Sequence, residues 1–159
     1  MMDVLWMYVL VFLLSATPLM EAIYISPFAV FGGLAFAPTV ILAIAGNVLT
    51  VLVVIVFFDK IREWRKRKKG EEQSSKKAAK AQRIWQKYGL PGFALLAPFV
   101  IGSHLVAFLG LVFGGTKKAV TIWMLISICG WSVILSILAL FGIDILNIEN
   151  PFLERFFTE

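Results

Sequence analysis

Apolar residues run almost without interruption through two parts of this chain, from Val4 to Phe58 and from Gly89 to Ile143. The only Asp, Glu, Lys, Arg or His in the first part is Glu21, and the second part holds only one histidine and two lysines. Because a membrane-spanning helix needs about 20 apolar residues, each part has room for more than one crossing but hardly for three. The pattern predicts an all-α integral membrane protein built from two halves.

Each half contains one clean, uninterrupted apolar run. Residues 38–58 begin with a proline, which the first turn of a helix tolerates, and they are followed by the charged residue Asp59. Residues 119–142 follow the pair Lys117-Lys118. We predict a transmembrane helix over each run and a short helix over residues 4–17 ahead of the first.

Proline and glycine interrupt the apolar sequence ahead of each predicted spanning helix. A proline removes a backbone donor and disfavours helix in the residue before it. We therefore predict that residues 18–37 and 89–115 are re-entrant hairpins, which bend back inside the membrane. Their expected break positions are Pro27, Gly32, Gly33, Pro98 and Gly102.

The charge distribution predicts the orientation of both halves. Residues 59–88 carry twelve Lys or Arg against four Asp or Glu, which is typical of a cytoplasmic loop, whereas residues 144–159 form an acidic tail that we expect at the outer interface. The second half satisfies the charge rule only if residues 89–115 enter from the cytoplasm and return to it. We therefore predict two inverted repeats, residues 1–58 and 89–143, each with a short helix, a re-entrant helical hairpin and a transmembrane helix. That arrangement suits alternating access.

The basic loop predicts contact with anionic lipid rather than with nucleic acid, because apolar spans flank it on both sides. Within the loop, residues 76–88 place Ile84, Trp85 and Tyr88 on one side of a helix, which we interpret as interfacial. The residues expected at the lipid surface are Arg65, Lys66, Arg67, Lys68 and Lys69.

Composition narrows the function classes further. The chain is 60% hydrophobic and 16% charged, against roughly 25% charged in a typical soluble domain. One histidine and one cysteine offer no spacing typical of a metal site, and the sequence contains no nucleotide-binding loop. The adjacent pair Ser103-His104 has no orienting acid beside it in the sequence. We therefore expect no enzyme activity, no cofactor and no metal.

Ionisable residues at membrane depth are the leading candidates for function, since each costs at least about 2.5 to 3.5 kcal/mol unless paired or hydrated. Glu21 and His104 lie one in each predicted hairpin, where they would exchange protons with opposite sides if the tips meet near the midplane. Alternatively, Glu21 is hydrated at the outer headgroup level and His104 bonds a backbone carbonyl. The candidate pathway residues are Glu21, His104, Ser103, Ser26 and Asn47, and the hydroxyl and amide side chains among them have helix bracing as their alternative role.

Several short motifs carry a family resemblance. The run PLMEAIYISPFAVFGG from Pro18, the Gly46-Asn47 pair, the Tyr88-Gly89 pair and the run APFVIGSHLVAFLG from Ala97 resemble the small multi-drug export family within the DedA superfamily of membrane proteins. The resemblance covers roughly residues 18–142. It implies two opposed re-entrant hairpins and an amphipathic substrate, either a hydrophobic drug-like compound or a polyprenyl-phosphate lipid carrier. It assigns Glu21 to the acidic position of the first hairpin. The second hairpin lacks the arginines usual in the superfamily.

Two functions from different classes remain open. The first is a transporter or flippase of the cell membrane that moves an amphipathic substrate, with proton coupling through Glu21 and His104. The second is a non-transporting membrane scaffold that binds anionic lipid or a partner through the basic loop. A chain of 159 residues offers little surface to enclose a pathway, so we expect at least a homodimer.

Overall fold

The computed structural model describes residues 2–18, 20–60, 63, 76–96 and 98–146, and these residues are mainly helical, as expected. The elements are α1 (Met2–Ser15), β1 (Ala16–Thr17), β2 (Met20–Glu21), α2 (Ala22–Phe31), α3 (Phe36–Val56), α4 (Lys76–Leu96), α5 (Pro98–Ile101), α6 (Ser103–Val112) and α7 (Lys117–Leu146). The segments Phe36–Val56 and Lys117–Gly142 are long and apolar enough to cross a membrane. The predicted lipid-surface residues 65–69 and residues 147–159 of the acidic tail lie outside the described residues.

The helices group into two compact units. The first unit takes the chain up to Val48 and resumes at Ile128, and the second runs from Leu49 to Ser127. Both long helices, α3 and α7, contain a boundary between the units. The first unit therefore holds α1, α2, the start of α3 and the end of α7. The second holds the end of α3, α4 to α6 and the start of α7.

In the first unit the chain reverses between α1 and α2. Strands β1 and β2 pair antiparallel, with Ala16 opposite Glu21 and Thr17 opposite Met20. Pro18 lies in the turn, where it cannot continue α1 and disfavours helix at the preceding threonine. The Thr17 hydroxyl donates to the carbonyl of Leu14 at 2.7 Å, which satisfies one of the acceptors that the end of α1 leaves open.

The predicted break at Pro27 is wrong. Helix α2 continues through this proline from Ala22 to Phe31. Because Pro27 lies in the second turn of a ten-residue helix, it removes only the hydrogen bond that its missing N–H would give to the Ile23 carbonyl. The Ser26 hydroxyl also donates to the Ala22 carbonyl at 2.7 Å, within the same turn. In the structure, the first reversal of the chain therefore lies between β1 and β2, ahead of α2, and not at Pro27.

Glycines end both ten-residue helices in the same way. After α2, the Leu34 amide donates to the Ala29 carbonyl and the Gly33 amide donates to the Val30 carbonyl, with Gly33 at φ 98°. This pair of bonds around a left-handed residue is the Schellman motif. Gly32 and Gly33 thus lie in the turn that separates α2 from α3.

The same motif closes α6. The Gly115 amide donates to the Gly110 carbonyl at 2.9 Å, the Gly114 amide donates to the Leu111 carbonyl at 3.2 Å, and Gly114 has φ 102°. Four residues separate α2 from α3, and four separate α6 from α7. A ten-residue helix, a Schellman turn and a long apolar helix therefore occur twice along the chain.

Breaks in the second unit fall near the predicted positions. Gly89 has φ 62° and interrupts α4, and Pro98 begins the four-residue helix α5. Gly102 has φ 88° and ψ 147°, a conformation that only glycine adopts readily, and it separates α5 from α6. Its amide donates to the Pro98 carbonyl at 2.9 Å. Helix α6 packs against both α4 and α5, so the chain reverses between Leu96 and Ser103.

Candidate functional site

Glu21 lies at the point where the paired strands β1 and β2 lead into α2. It is the last residue of β2, has extended backbone angles and immediately precedes Ala22, the first residue of the helix. Its side chain is 1% exposed. The N-terminal end of a helix carries partial positive charge, so this position favours a carboxylate. The first unit thus buries an acidic group at a backbone reversal.

The buried amide residue Asn47 lies close to the same reversal. Its neighbour Gly46 approaches the backbone of α1 so closely that a Cβ there would collide with the carbonyl oxygen of Phe12 and lie 3.3 Å from the amide nitrogen of Ala16. Ala16 is also the residue that pairs with Glu21. Glu21 pairs with Ala16, and Asn47 follows the glycine that contacts Ala16. Both side chains are buried.

Serine side chains form the second polar feature of the first unit. Ser136 on α7 donates its hydroxyl to the Ser26 hydroxyl oxygen at 3.0 Å, and the Ser26 oxygen lies 3.5 Å from the Ser132 carbonyl oxygen. All three serines are 0% exposed. The Ile23 carbonyl, which Pro27 leaves without its helical donor, belongs to the same short helix.

Some buried hydroxyls of this unit have no hydrogen-bond partner among the described residues: Ser15, Thr39 and Ser132. An unsatisfied buried hydroxyl costs about 1 to 3 kcal/mol. Such groups are uncommon in a membrane protein interior unless they serve packing or meet a polar ligand or water. The interior of the first unit is therefore more polar than its apolar sequence suggests.

His104 is the polar centre of the second unit. Its Nε2 lies 2.8 Å from the Thr50 hydroxyl oxygen on α3, and its Nδ1 lies 3.4 Å from the hydroxyl oxygen of Ser103. His104 is 9% exposed and Ser103 is fully buried. Gly102 makes this placement possible, since its positive φ turns the chain so that α6 begins with these two polar residues.

Aromatic rings surround the rest of α6. Phe108 packs on Phe58 with the ring centroids 5.3 Å apart. Trp85, Phe93 and Phe113 contact one another with centroid separations of 5.6 to 5.8 Å. These contacts hold α6 against its neighbours through dispersion and edge-to-face packing.

Of the predicted pathway residues, the structure places Glu21, Ser26 and Asn47 in the first unit and Ser103 with His104 in the second. It joins Ser26 to residues that the sequence reasoning missed, Ser132 and Ser136, and it joins His104 to Thr50, also missed. Ser132 and Ser136 are spaced by four on an apolar helix, a spacing that puts two hydroxyls on one face and was available in the sequence. Thr50 offered no such signal, because its role depends on a helix 54 positions away.

The class of protein follows from these features. Two apolar helices of spanning length, together with short apolar helices that bury polar side chains, indicate a membrane protein. Residues 19–134 match the family model described as "Putative small multi-drug export protein", and the chain therefore belongs to this family. No curated protein and no solved structure matches the chain.

Proposed function

We propose that this protein is a membrane transporter or flippase that moves an amphipathic substrate across the cell membrane, driven by proton movement through Glu21 and His104. The family match supports export of hydrophobic compounds. The observation that carries the proposal is burial: the acidic and the imidazole side chain of the two apolar regions both lie at hairpin reversals and are 1% and 9% exposed. Burying ionisable groups in an apolar region costs free energy, which favours a functional role for them.

The lengths of the short helices support re-entrant hairpins. Helices α2 and α6 have ten residues each, about 15 Å at 1.5 Å per residue, which is half of the roughly 30 Å hydrocarbon core. The repeated helix, turn and long helix support the proposal of two inverted repeats. We further propose that the basic loop lies in the cytoplasm, because of its charge, and that the working unit contains two copies of this small chain. We also propose that this family is part of the wider DedA superfamily.

Charge indicates the substrate class that we favour. The first unit buries a carboxylate among apolar and hydroxyl side chains, and such a site suits a lipophilic cation that exchanges with a proton. A polyprenyl-phosphate carrier is the second substrate class. Residues 89–115 contain no arginine or lysine for its phosphate, so we expect it to be moved less well.

The experiment measures transport by the purified protein in liposomes under an imposed pH gradient, with ethidium as the lipophilic cation. We expect gradient-driven ethidium flux in the wild type and at least about tenfold less flux in Glu21→Gln and His104→Gln. The matched control is Glu63→Gln, because Glu63 is an exposed acid; it should transport like the wild type. A parallel set of vesicles with a fluorescent polyprenyl phosphate tests the second substrate class.

Two results would contradict the proposal. Flux that is unchanged in Glu21→Gln and His104→Gln removes the proton role of these residues. An absence of flux for both probes in the wild type, combined with binding to vesicles of anionic lipid that depends on Arg65 to Lys69, supports the scaffold function instead.

A further inference from the structure

Hydroxyl groups face both ring nitrogens of His104. Thr50 Oγ1 lies 2.8 Å from Nε2, and Ser103 Oγ lies 3.4 Å from Nδ1. The two hydroxyls come from different helices, α3 and α6, and all three residues belong to the second unit. The ring is thus held from both edges by groups of the same chemistry.

A hydroxyl is an unusual choice for fixing a histidine, because it can donate or accept. A neutral imidazole donates from one nitrogen and accepts at the other, and the protonated ring donates from both. A carbonyl or carboxylate partner accepts only and therefore selects one tautomer. Thr50 and Ser103 satisfy either neutral tautomer and also the protonated ring, so no protonation state leaves a buried ring nitrogen without a partner.

Charged groups on the surrounding elements do not compete for the ring. Helices α3, α5 and α6 contain no Asp, Glu, Lys or Arg. Among the side chains described on α4, the cations Arg83 and Lys87 are exposed. At the start of α7, Lys117 pairs with Asp59 and Lys118 is exposed. The ring can therefore change its protonation state without breaking an ion pair to any of these described side chains.

We propose that Ser103, His104 and Thr50 form a proton relay, with Thr50 as the positioning residue that holds the imidazole ready to pass a proton. A proton delivered through the Ser103 hydroxyl binds Nδ1 and gives the imidazolium. The Nε2 proton then leaves toward Thr50, and the ring returns to a neutral state with its proton on Nδ1. The reverse sequence moves a proton the other way. The relay rests on the proposed function, because that function gives His104 its role as a proton carrier.

The test uses the single histidine of the chain. Protein labelled with ¹⁵N only in histidine gives one imidazole signal pair, whose Nδ1 and Nε2 shifts report the tautomer ratio directly. In lipid nanodiscs at a pH where the ring is neutral, we expect both tautomers in the wild type and in Thr50→Ser. In Thr50→Val the proton should move to Nδ1, where Ser103 still accepts it, with the tautomer ratio changing about tenfold.

A second variant keeps the test decisive if Thr50→Val does not fold. Ser103→Ala removes the other hydroxyl and should move the proton to Nε2, the opposite direction. Thr39→Val, which removes a buried hydroxyl from the same helix α3 in the first unit, is the control and should leave the imidazole signals as in the wild type. A wild-type spectrum with one tautomer that neither Thr50→Val nor Ser103→Ala alters would overturn the relay.

The imidazole NMR measurement tests the relay and the ethidium flux measurement tests the proposed function, so one can fail without the other. If the imidazole responds as expected but wild-type vesicles move no substrate, the hydroxyl arrangement stands and the proposed function is wrong. If His104→Gln abolishes ethidium flux while Thr50→Val changes neither the tautomer ratio nor the flux, the proposed function stands and Thr50 does not position the ring.

Discussion

The two ten-residue helices have the same architecture and different chemistry. A shift of 81 positions places Ala22–Phe31 of α2 on Ser103–Val112 of α6. The same shift places Gly33 on Gly114, whose φ values are 98° and 102°, and Phe36 on Lys117, the first residues of the two long helices. Buried positions recur as well, since Ala43 and Met124 are both core residues. The backbone plan is therefore repeated, although few side chains are.

The polar side chains are divided between the repeats rather than duplicated. The shift of 81 maps three buried serines of the first unit onto buried apolar residues of the second: Ser26 onto Ala107, Ser132 onto Val51, and Ser136 onto Ile55. Conversely, His104 and Thr50 correspond to Ile23 and Trp131. The backbone features that occur in both units are therefore the ones that the fold requires. The features without a counterpart are the candidates for function.

The largest effect should come from Gly46, which lies directly against the backbone of α1. In Gly46→Ala the new Cβ meets the Phe12 carbonyl, so α1 must move, and we expect a loss of about 3 kcal/mol in the free energy of unfolding. The control is Gly130→Ala, where nothing beyond the adjacent residues and the backbone of the same helix lies within 4 Å of the new Cβ. It should be neutral or slightly stabilising, because alanine is the better helix former. Equal melting temperatures in detergent for the two variants would show that the α1 contact does not hold.

The two turn glycines should behave alike. Gly33→Ala and Gly114→Ala each force a left-handed backbone on a residue with a Cβ, which costs about 1 to 2 kcal/mol. No atom lies within 4 Å of a Cβ at Gly114, so the backbone term acts alone there. Denaturant unfolding of both variants measures the costs. A difference above roughly 1 kcal/mol would break the equivalence of the two turns.

The serines of the first unit should differ from one another. Ser136→Ala removes a hydroxyl that donates to Ser26 and should cost about 1 kcal/mol. Ser132→Ala removes a buried hydroxyl that has no partner among the described residues, so stability should stay the same or rise. Thermal unfolding of the two variants side by side tests this. A larger loss for Ser132→Ala would reveal a polar contact at that hydroxyl.

The smallest effect belongs to the ion pair at the start of α7. Lys117 Nζ lies 3.0 Å from Asp59 Oδ2, with the two side chains 48% and 74% exposed. Exposed pairs contribute little because water and salt screen them, so Lys117→Met should change stability by less than about 0.5 kcal/mol. A loss several times larger, retained at high salt, would mean that the pair is shielded from water.

Sequence patterns predicted the long helices well, because an unbroken apolar run leaves few alternatives. Helices α3 and α7 begin and end within a few residues of the predicted spans. The helix break at Gly102 was also accessible, since this residue has a positive φ that glycine favours. Glu21 and His104 stood out as ionisable residues in apolar surroundings, and both are buried.

Proline alone could not locate the first reversal. Thr17-Pro18 and Ser26-Pro27 are the same kind of dipeptide, a hydroxyl residue before proline, yet the first lies in a chain reversal and the second lies inside α2. The difference arises from packing: Ser26 is fixed by its bonds to Ala22 and Ser136, whereas Thr17 enters a β-bridge. Thr50 was missed for the same reason, since its contact with His104 depends on tertiary structure. Local pattern therefore gave the elements, and long-range contacts decided which polar residues meet.

Proton release on substrate binding tests most directly the central claim that the buried carboxyl group of Glu21 exchanges its proton for the substrate. Ethidium is added to purified protein in weakly buffered detergent solution, and the pH change is followed with an indicator dye. We expect the wild type and Glu63→Gln to release protons, and Glu21→Gln, which carries no titratable proton at that position, to release none. Proton release by Glu21→Gln equal to that of the wild type would contradict the account.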